Sequence, residues 1–290
     1  MERRLSGGST HTTTTTEEEH DSLASSSRSS PTSEKRMMLR RLQEFWESSG
    51  IPLSKETVYR FAVFHDFDFE RTKEALEENR ENDHLSLQMR GSLKRQFATK
   101  TIFPLCGLRT KDKMEVCYLQ ASQFVLPDNA SSANYSTLFV ENLCYVLNDL
   151  SRTREQCKRG VAVVINMKHY EESNYSFDLW MQLMMTLQGN LVPTTVNLVL
   201  LVDSPQWFQT QVWKAQTKPI LTECFYKRCH LIEGEELVKG DYFADGCEAF
   251  MPTEAGGWKE AEEIVVDYQD LKTFQERQRL EGIAMVPEDM

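Results

Sequence analysis

The chain has 290 residues, 40% of them hydrophobic and 27% charged, with a formal net charge of −11 at pH 7. That is ordinary soluble-globular composition, enough for one substantial core or two modest ones. The acidic balance leaves no basic footprint for nucleic acid, and no window approaches the roughly eighteen consecutive apolar residues of a spanning helix.

The charge is uneven. Residues 253–290 carry ten acidic and four basic side chains and residues 1–34 carry six and three, so the body between them is nearly neutral. Residues 1–34 (Ser6-Gly-Gly-Ser, the threonine run after His11, Ser25-Ser-Ser-Arg-Ser-Ser-Pro31) are almost free of large apolar groups and read as a disordered tail. The start, Met1-Glu-Arg-Arg-Leu, leads into no apolar signal region, so a cytoplasmic protein is expected. The seven cysteines (106, 117, 144, 157, 224, 229, 247) form no C-x-x-C pair, and no histidine pair stands at zinc spacing, so reduced thiols and neither metal nor cofactor are expected.

From Glu34 the pattern is helical. Met38, Leu39, Leu42, Phe45 and Trp46 recur at three- and four-residue steps before Gly50-Ile-Pro52. A second helix spans Lys55 to Phe64 and, after the turn His65-Asp-Phe-Asp68, a third runs from Phe69 to about Glu81; residues 84–100 read as helix passing into loop. Residues 35–95 are therefore a small helical subdomain and residues 96–257 the main one. There, Met114–Leu119 reads as a strand after the turn Lys111-Asp-Lys113, and Pro127–Ser132 as a loop. Asn134–Leu150 reads as a long amphipathic helix.

Gly160–Gly257 organises the chain. Val161–Ile165, in a strand read as reaching Met167, and Leu198–Val202 are continuous apolar runs, the signature of strands covered on both faces, and Tyr175–Leu191 between them is a helix. Cys229–Ile232 is a short further strand. This alternation predicts an α/β unit with parallel strands. At 100° per residue the helix from Trp207 to Lys218 groups Phe208, Val212 and Ala215, with Trp213 nearly opposite. Such a helix is either wholly buried or placed between a cavity and another apolar phase. Residues 258–290 form an acidic extension of weak helical periodicity.

Enzyme signatures are missing. The sequence has no G-x-S-x-G elbow, G-x-x-x-x-G-K-[ST] loop or G-x-G-x-x-G fingerprint. Cys157 and His169 flank one strand and so fall at its opposite ends, out of reach of one another. No enzymatic activity is expected.

Several motifs, in order and spacing, resemble the CRAL-TRIO lipid-binding family: Tyr59-Arg-Phe-Ala-Val-Phe-His-Asp-Phe-Asp-Phe69 with Glu74-Ala-Leu76, the strand Gly160–Asn166, Leu200-Leu-Val-Asp-Ser-Pro205, Lys218-Pro-Ile-Leu-Thr222, Lys227-Arg-Cys-His-Leu231 and Pro252-Thr-Glu-Ala-Gly-Gly257. The resemblance covers about residues 38–257. It implies an α/β fold in which a helical N-terminal subdomain lies beside a mixed, mainly parallel sheet flooring an apolar pocket, closed by a gate helix after Pro205 that opens at a membrane surface. The expected walls are Val161, Val163, Ile165, Val199 and Leu201; Trp207, Phe208 and Val212 form the lid, and Arg228 is the polar anchor. His65 and Asp66 stand where the phosphatidylinositol-binding branch has a basic pair, and Thr194 where it has an acid. Val161, Val163 and Cys117 replace polar residues that hold a phosphocholine head, which favours an apolar ligand, because an unpaired polar head would cost about 1–3 kcal/mol. The segment between Pro205 and Pro219 is about two residues longer than the family pattern. The implied protein carries or presents a hydrophobic lipid and visits membranes transiently. The alternative is a non-transferring module of the same fold that binds a protein partner through its surface and acidic C-terminal extension.

Overall fold

The computed structural model describes residues 31–51, 53–80, 97, 99–124, 132–189 and 191–280. Among these, three helices come first: α1 (Pro31–Ser49), α2 (Lys55–Phe64) and α3 (Phe69–Glu78). Ser54 and Asp68 cap α2 and α3 by accepting the backbone N–H three residues on, as short polar residues before a helix do. Helix α1 begins at Pro31, inside the stretch expected to be tail; Pro lacks only an N–H that the first turn cannot use. The remainder of that expected tail, and residues 84–96, lie outside the described residues.

The sheet has the order β1-β2-β3-β4-β5: β1 (Ile102–Arg109), β2 (Glu115–Gln120), β3 (Val161–Asn166), β4 (Val196–Val202) and β5 (Cys229–Ile232). Strand β1 is antiparallel to β2 and all other pairs are parallel. The sequence pattern did not announce β1, because Pro104 and Gly107 interrupt it. At the sheet edge Pro104 pairs with Cys117, and the register shifts between Pro104 and Arg109.

Between the strands lie α4 (Ser132–Leu150), α5 (Arg154–Arg159) and α6 (Phe177–Gln188). Helix α5, also unforeseen, starts at a capping box in which Thr153 and Gln156 satisfy one another's backbone N–H groups. A helical segment at Phe208–Thr217 and the short α7 (Glu223–Tyr226) connect β4 to β5. The strand order never reverses, and parallel connections are right-handed, so all these crossovers cover the same face of the sheet.

The other face receives chain that follows β5. Asn166 Nδ2 donates to the Glu254 carbonyl at 3.1 Å and to Tyr118 Oη at 2.8 Å. Helix α8 (Gly234–Lys239) follows β5 directly. Its start is tied to the end of β4, where Asp203 adopts φ 51 and Oδ1 accepts the Gly234 N–H at 2.6 Å. A Cβ at Gly234 would meet Asp203 Oδ2 at 2.7 Å, so a larger residue there would have to shift the Asp203 carboxylate.

The acidic extension is not a free tail over its described length. Residues Ala261–Leu280 form α9, and Ala261, Ile264, Val265, Tyr268 and Lys272 are buried against the body. Lys272 Nζ lies 2.6 Å from Asp149 Oδ1, and Tyr268 Oη donates to Oδ2 at 3.0 Å. The Lys272 and Asp149 side chains are 10% and 9% exposed. Residues 281–290 lie outside the described residues. No described helix is long and apolar enough to cross a membrane.

Candidate functional site

The expected pocket walls share one face. Val163 pairs with Val199 and Ile165 with Leu201, while Val161 lies two residues before Val163 on the same side. This side is opposite Asn166 and therefore faces the crossover layer. All five, Val161, Val163, Ile165, Val199 and Leu201, are 0% exposed, so no water-sized void touches them. The space expected to be a pocket is packed by the chain's own side chains.

The lid segment is buried in an unexpected conformation. An α-helical period over Trp207–Lys218 predicts that Trp213 faces away from Phe208. Phe208–Thr217 is instead a π-helix of ten residues, closed by the Lys218 N–H donating to the Trp213 carbonyl, five residues back. Bonds at i+5 bring residues i, i+4, i+5 and i+9 to one side. The buried residues of the segment are Phe208, Val212, Trp213 and Thr217, which fits that rule and leaves Ala215 exposed. Trp213 is 2% exposed and stacks on Tyr226, ring centroids 5.9 Å apart. Trp180 of α6 meets Phe208 edge-on at 4.8 Å and donates from Nε1 to Thr217 Oγ1 at 2.8 Å. Trp207, half-buried, lies against Tyr170 and Tyr175. The lid is therefore apolar on one side.

Arg228 lies at the other end of the sheet from Trp207, where β4 and β5 begin. Its Nη1 donates to the Val196 carbonyl at 3.0 Å and Nη2 to Cys224 Sγ at 3.5 Å. A depression of about 230 Å³ there is lined by Phe64, Thr194, Cys224, Phe225 and Arg228 among others, with no carboxylate on its wall. So the structure brings Arg228 and Thr194 together, apart from the apolar face.

Behind Thr194 stands a cation that the sequence pattern did not single out. Arg60 of α2 is 3% exposed; Nη2 donates to Ser151 Oγ at 2.8 Å and to Thr194 Oγ1 at 3.5 Å, while Nε has no partner. Burial holds this guanidinium below its ordinary pKa, against the opposing pull of the Cys157 thiol and Asp149. The signal was present: at 100° per residue Arg60 falls in the same arc of α2 as Thr57, Phe61 and Phe64. Cys157 donates to the Ser151 carbonyl at 2.9 Å, and burial pushes its thiol pKa up although Arg60 opposes this. It faces Arg60, with β3 between it and His169. His65 caps α2 with a buried Nε2 that lacks a partner, and Asp66 and Phe67 take φ of 50° and 61° in the turn that follows.

The outer side of α6 carries large apolar groups beside the exposed Asp178 and Gln182. Phe177 and Met185 are 50% and 52% exposed, with half-buried Met181 between them at i+4 spacing. Gln188 joins this side to the lid by donating to the Ile220 carbonyl at 3.4 Å. Ile220 and Leu191 are also exposed, as are Lys214 and Lys218 of the lid.

No curated protein matches the chain. Among solved structures it is similar to the crystal structure of Sfh5, with 12% identity and a TM-score of 0.55 over 83% of this chain and 98% of that one. At that identity the likeness shows a shared fold. The family model of the CRAL/TRIO domain matches residues 99–257, more than half of the chain and all of the sheet and lid, and the chain therefore belongs to the CRAL/TRIO domain family.

Proposed function

We propose that this protein binds a hydrophobic lipid between the sheet and the crossover layer and carries or presents it between membranes, without catalysing a reaction on it. Family membership over residues 99–257 carries the reading at the level of lipid binding. The finer statement is supported by the apolar face of Val161, Val163, Ile165, Val199 and Leu201 beneath a lid of Trp207, Phe208 and Val212. An acyl or isoprenoid chain placed there exchanges water for a surface without unpaired polar groups. The lipid's polar end fits the depression at Arg228 and Thr194, which has no carboxylate to repel an anion. Membrane contact fits the α6 side, where Phe177, Met181, Met185 and Ile220 offer apolar area and the exposed Lys214 and Lys218 of the lid segment outnumber Asp178; this combination suits an anionic bilayer surface. A cytoplasmic carrier that visits membranes transiently follows.

One observation favours a second reading. The space above the sheet is filled by the chain's own side chains, as a non-transferring module that binds a protein partner would have it. Of the two faces of α9, one is already docked on the body, so a partner would meet the exposed Glu262, Glu263, Val266, Asp270 and Phe274. Solvent extraction of protein purified from a eukaryotic host, followed by mass spectrometry, separates the two. Stoichiometric lipid together with transfer between vesicles is expected; neither would overturn the carrier reading.

A further inference from the structure

The lid sequence satisfies two helical periods. Wound as observed, residues Phe208, Val212, Trp213 and Thr217 face inward and Ala215 faces water. Wound as an α-helix, the same ten residues turn Phe208, Val212 and Ala215 to one side and carry Trp213 and Thr217 to the other. Both windings keep Phe208 and Val212 inward. They differ in whether an indole and a threonine, or a single alanine methyl, occupies the space beneath the lid.

The ends of the segment permit either. The first turn already carries an α-type bond, Gln209 N–H to the Pro205 carbonyl at 3.1 Å, while the last is closed by the i+5 bond from Lys218 to Trp213. Pro219 has no N–H to continue a ladder, so Lys218–Ile220, a single 3₁₀ turn, can absorb the change in length. The outer side (Thr210, Gln211, Lys214, Ala215, Gln216) makes few bonds to the body, chiefly Tyr175 Oη to Gln216 Oε1 at 2.7 Å. A long π-helix is rare, and π-wound turns recur at functional sites.

We infer that the lid has two registers and that the lipid site is the space it uncovers on rewinding from π to α, when Trp213 and Thr217 turn out toward the bilayer and Ala215 turns in. This rests on the lipid-carrier reading and says how its site is opened. It accounts together for the filled space, the fully buried wall residues and the double periodicity, since the chamber exists as a minor state that a ligand makes dominant. It also names a property of the ligand. Rewinding removes Thr217 from Trp180 Nε1, leaving an indole donor facing the new space, and a lipid with an acceptor oxygen within reach of its apolar chain satisfies it.

The test uses Ala215→Cys carrying a nitroxide, with the exposed Cys106 and Cys224 replaced by serine, on the full chain with and without phosphatidylcholine/phosphatidylserine vesicles; serine keeps an acceptor for Arg228, and the unlabelled double-serine protein is the reference for lipid content. Position 215 is exposed, so the label leaves folding intact. In solution the label is expected to be mobile and accessible to a water-soluble nickel complex; on vesicles it becomes immobile and inaccessible to both the nickel complex and oxygen. A lid that lifts as a rigid body leaves residue 215 accessible to water or to lipid-dissolved oxygen, and either result overturns the inference. As a second variant, Ala215→Lys is expected to keep the wild-type melting temperature while losing co-purifying lipid about tenfold or more, because the ammonium would be buried in the open register. Thr210→Lys, outward in both registers, should retain it. Lipid that co-purifies equally with Ala215→Lys and wild type overturns the two-register lid and leaves the carrier reading standing. If wild-type protein contains no lipid and its label is unchanged on vesicles, both fall.

Discussion

The α6 side offers the most direct measurement of membrane contact. Phe177→Glu combined with Met185→Glu replaces the two most exposed apolar groups of this side with carboxylates, next to the existing Asp178. The two side chains are 50% and 52% exposed. A large side chain buries roughly 200 Å² when fully covered, so each has about 100 Å² left to remove from water. At about 25 cal/mol per Å² that is about 2.5 kcal/mol each, or about 5 kcal/mol if both insert completely. Insertion of half that area still corresponds to a roughly sixtyfold change in partition. Lys214 and Lys218 add about 1 kcal/mol each toward an anionic surface, a contribution that salt screens and the apolar one does not share. Sedimentation with phosphatidylcholine/phosphatidylserine vesicles at two salt concentrations reads both parts. Because both residues are exposed, the melting temperature should stay within a few degrees of wild type. A double variant that sediments as the wild type does would remove α6 from the membrane-contact surface.

Other outcomes follow from the buried charges. Asp149→Asn leaves Lys272 buried without its counter-charge and should cost about 3 kcal/mol, a fall of roughly 6–12 °C in melting temperature; adding Lys272→Met should restore most of the loss. A double variant no better than Asp149→Asn would show that the pair is not coupled. Arg228→Ala should leave stability nearly unchanged but weaken binding of vesicle-derived anionic lipid by about tenfold, the loss of one charge-assisted contact; equal retention of anionic and neutral lipid would refute that role. Burial and then Arg71 lower the His65 pKa, with Asp68, Glu74 and Glu78 opposing. The unfolded chain then binds the proton more readily, so stability is full above about pH 6.5 and declines as pH falls toward the lowered folded value. Thermal melts of His65→Gln should lose that part of the acid slope, and an unchanged slope would place the titration elsewhere.

The parallel strands were legible because a short, unbroken apolar run such as Val161–Ile165, rich in valine, suits a strand covered on both faces and little else. Strand β1 was not, since Pro104 and Gly107 resemble a loop and are tolerated only because the strand lies at an edge. The docking of α9 was obscured by its acidic background, although Ala261, Ile264, Val265, Tyr268 and Lys272 repeat at helical steps. At the lid the sequence supplied the right residues and the wrong period. A 100° step cannot reveal that Trp213 is buried beside Val212, because the alternative winding changes which residues are neighbours. Arg60 was missed for a different reason: its charge suggested a solvated side chain, whereas its helical position placed it among Thr57, Phe61 and Phe64.

The strand order has a consequence for synthesis. Because the crossovers all lie on one face, chain emerging from the ribosome can cover that face as it goes, but Tyr118, Val164 and Leu200 point to the other. That second face receives residues around Met251–Ala255, which are made after the last strand. Until some fifty further residues follow β4, about a few seconds of translation, a half-covered sheet waits for its second layer. Nascent chains stalled between Ile232 and Phe250 should therefore be the ones held by chaperones, and release should coincide with emergence of the Pro252–Gly257 turn.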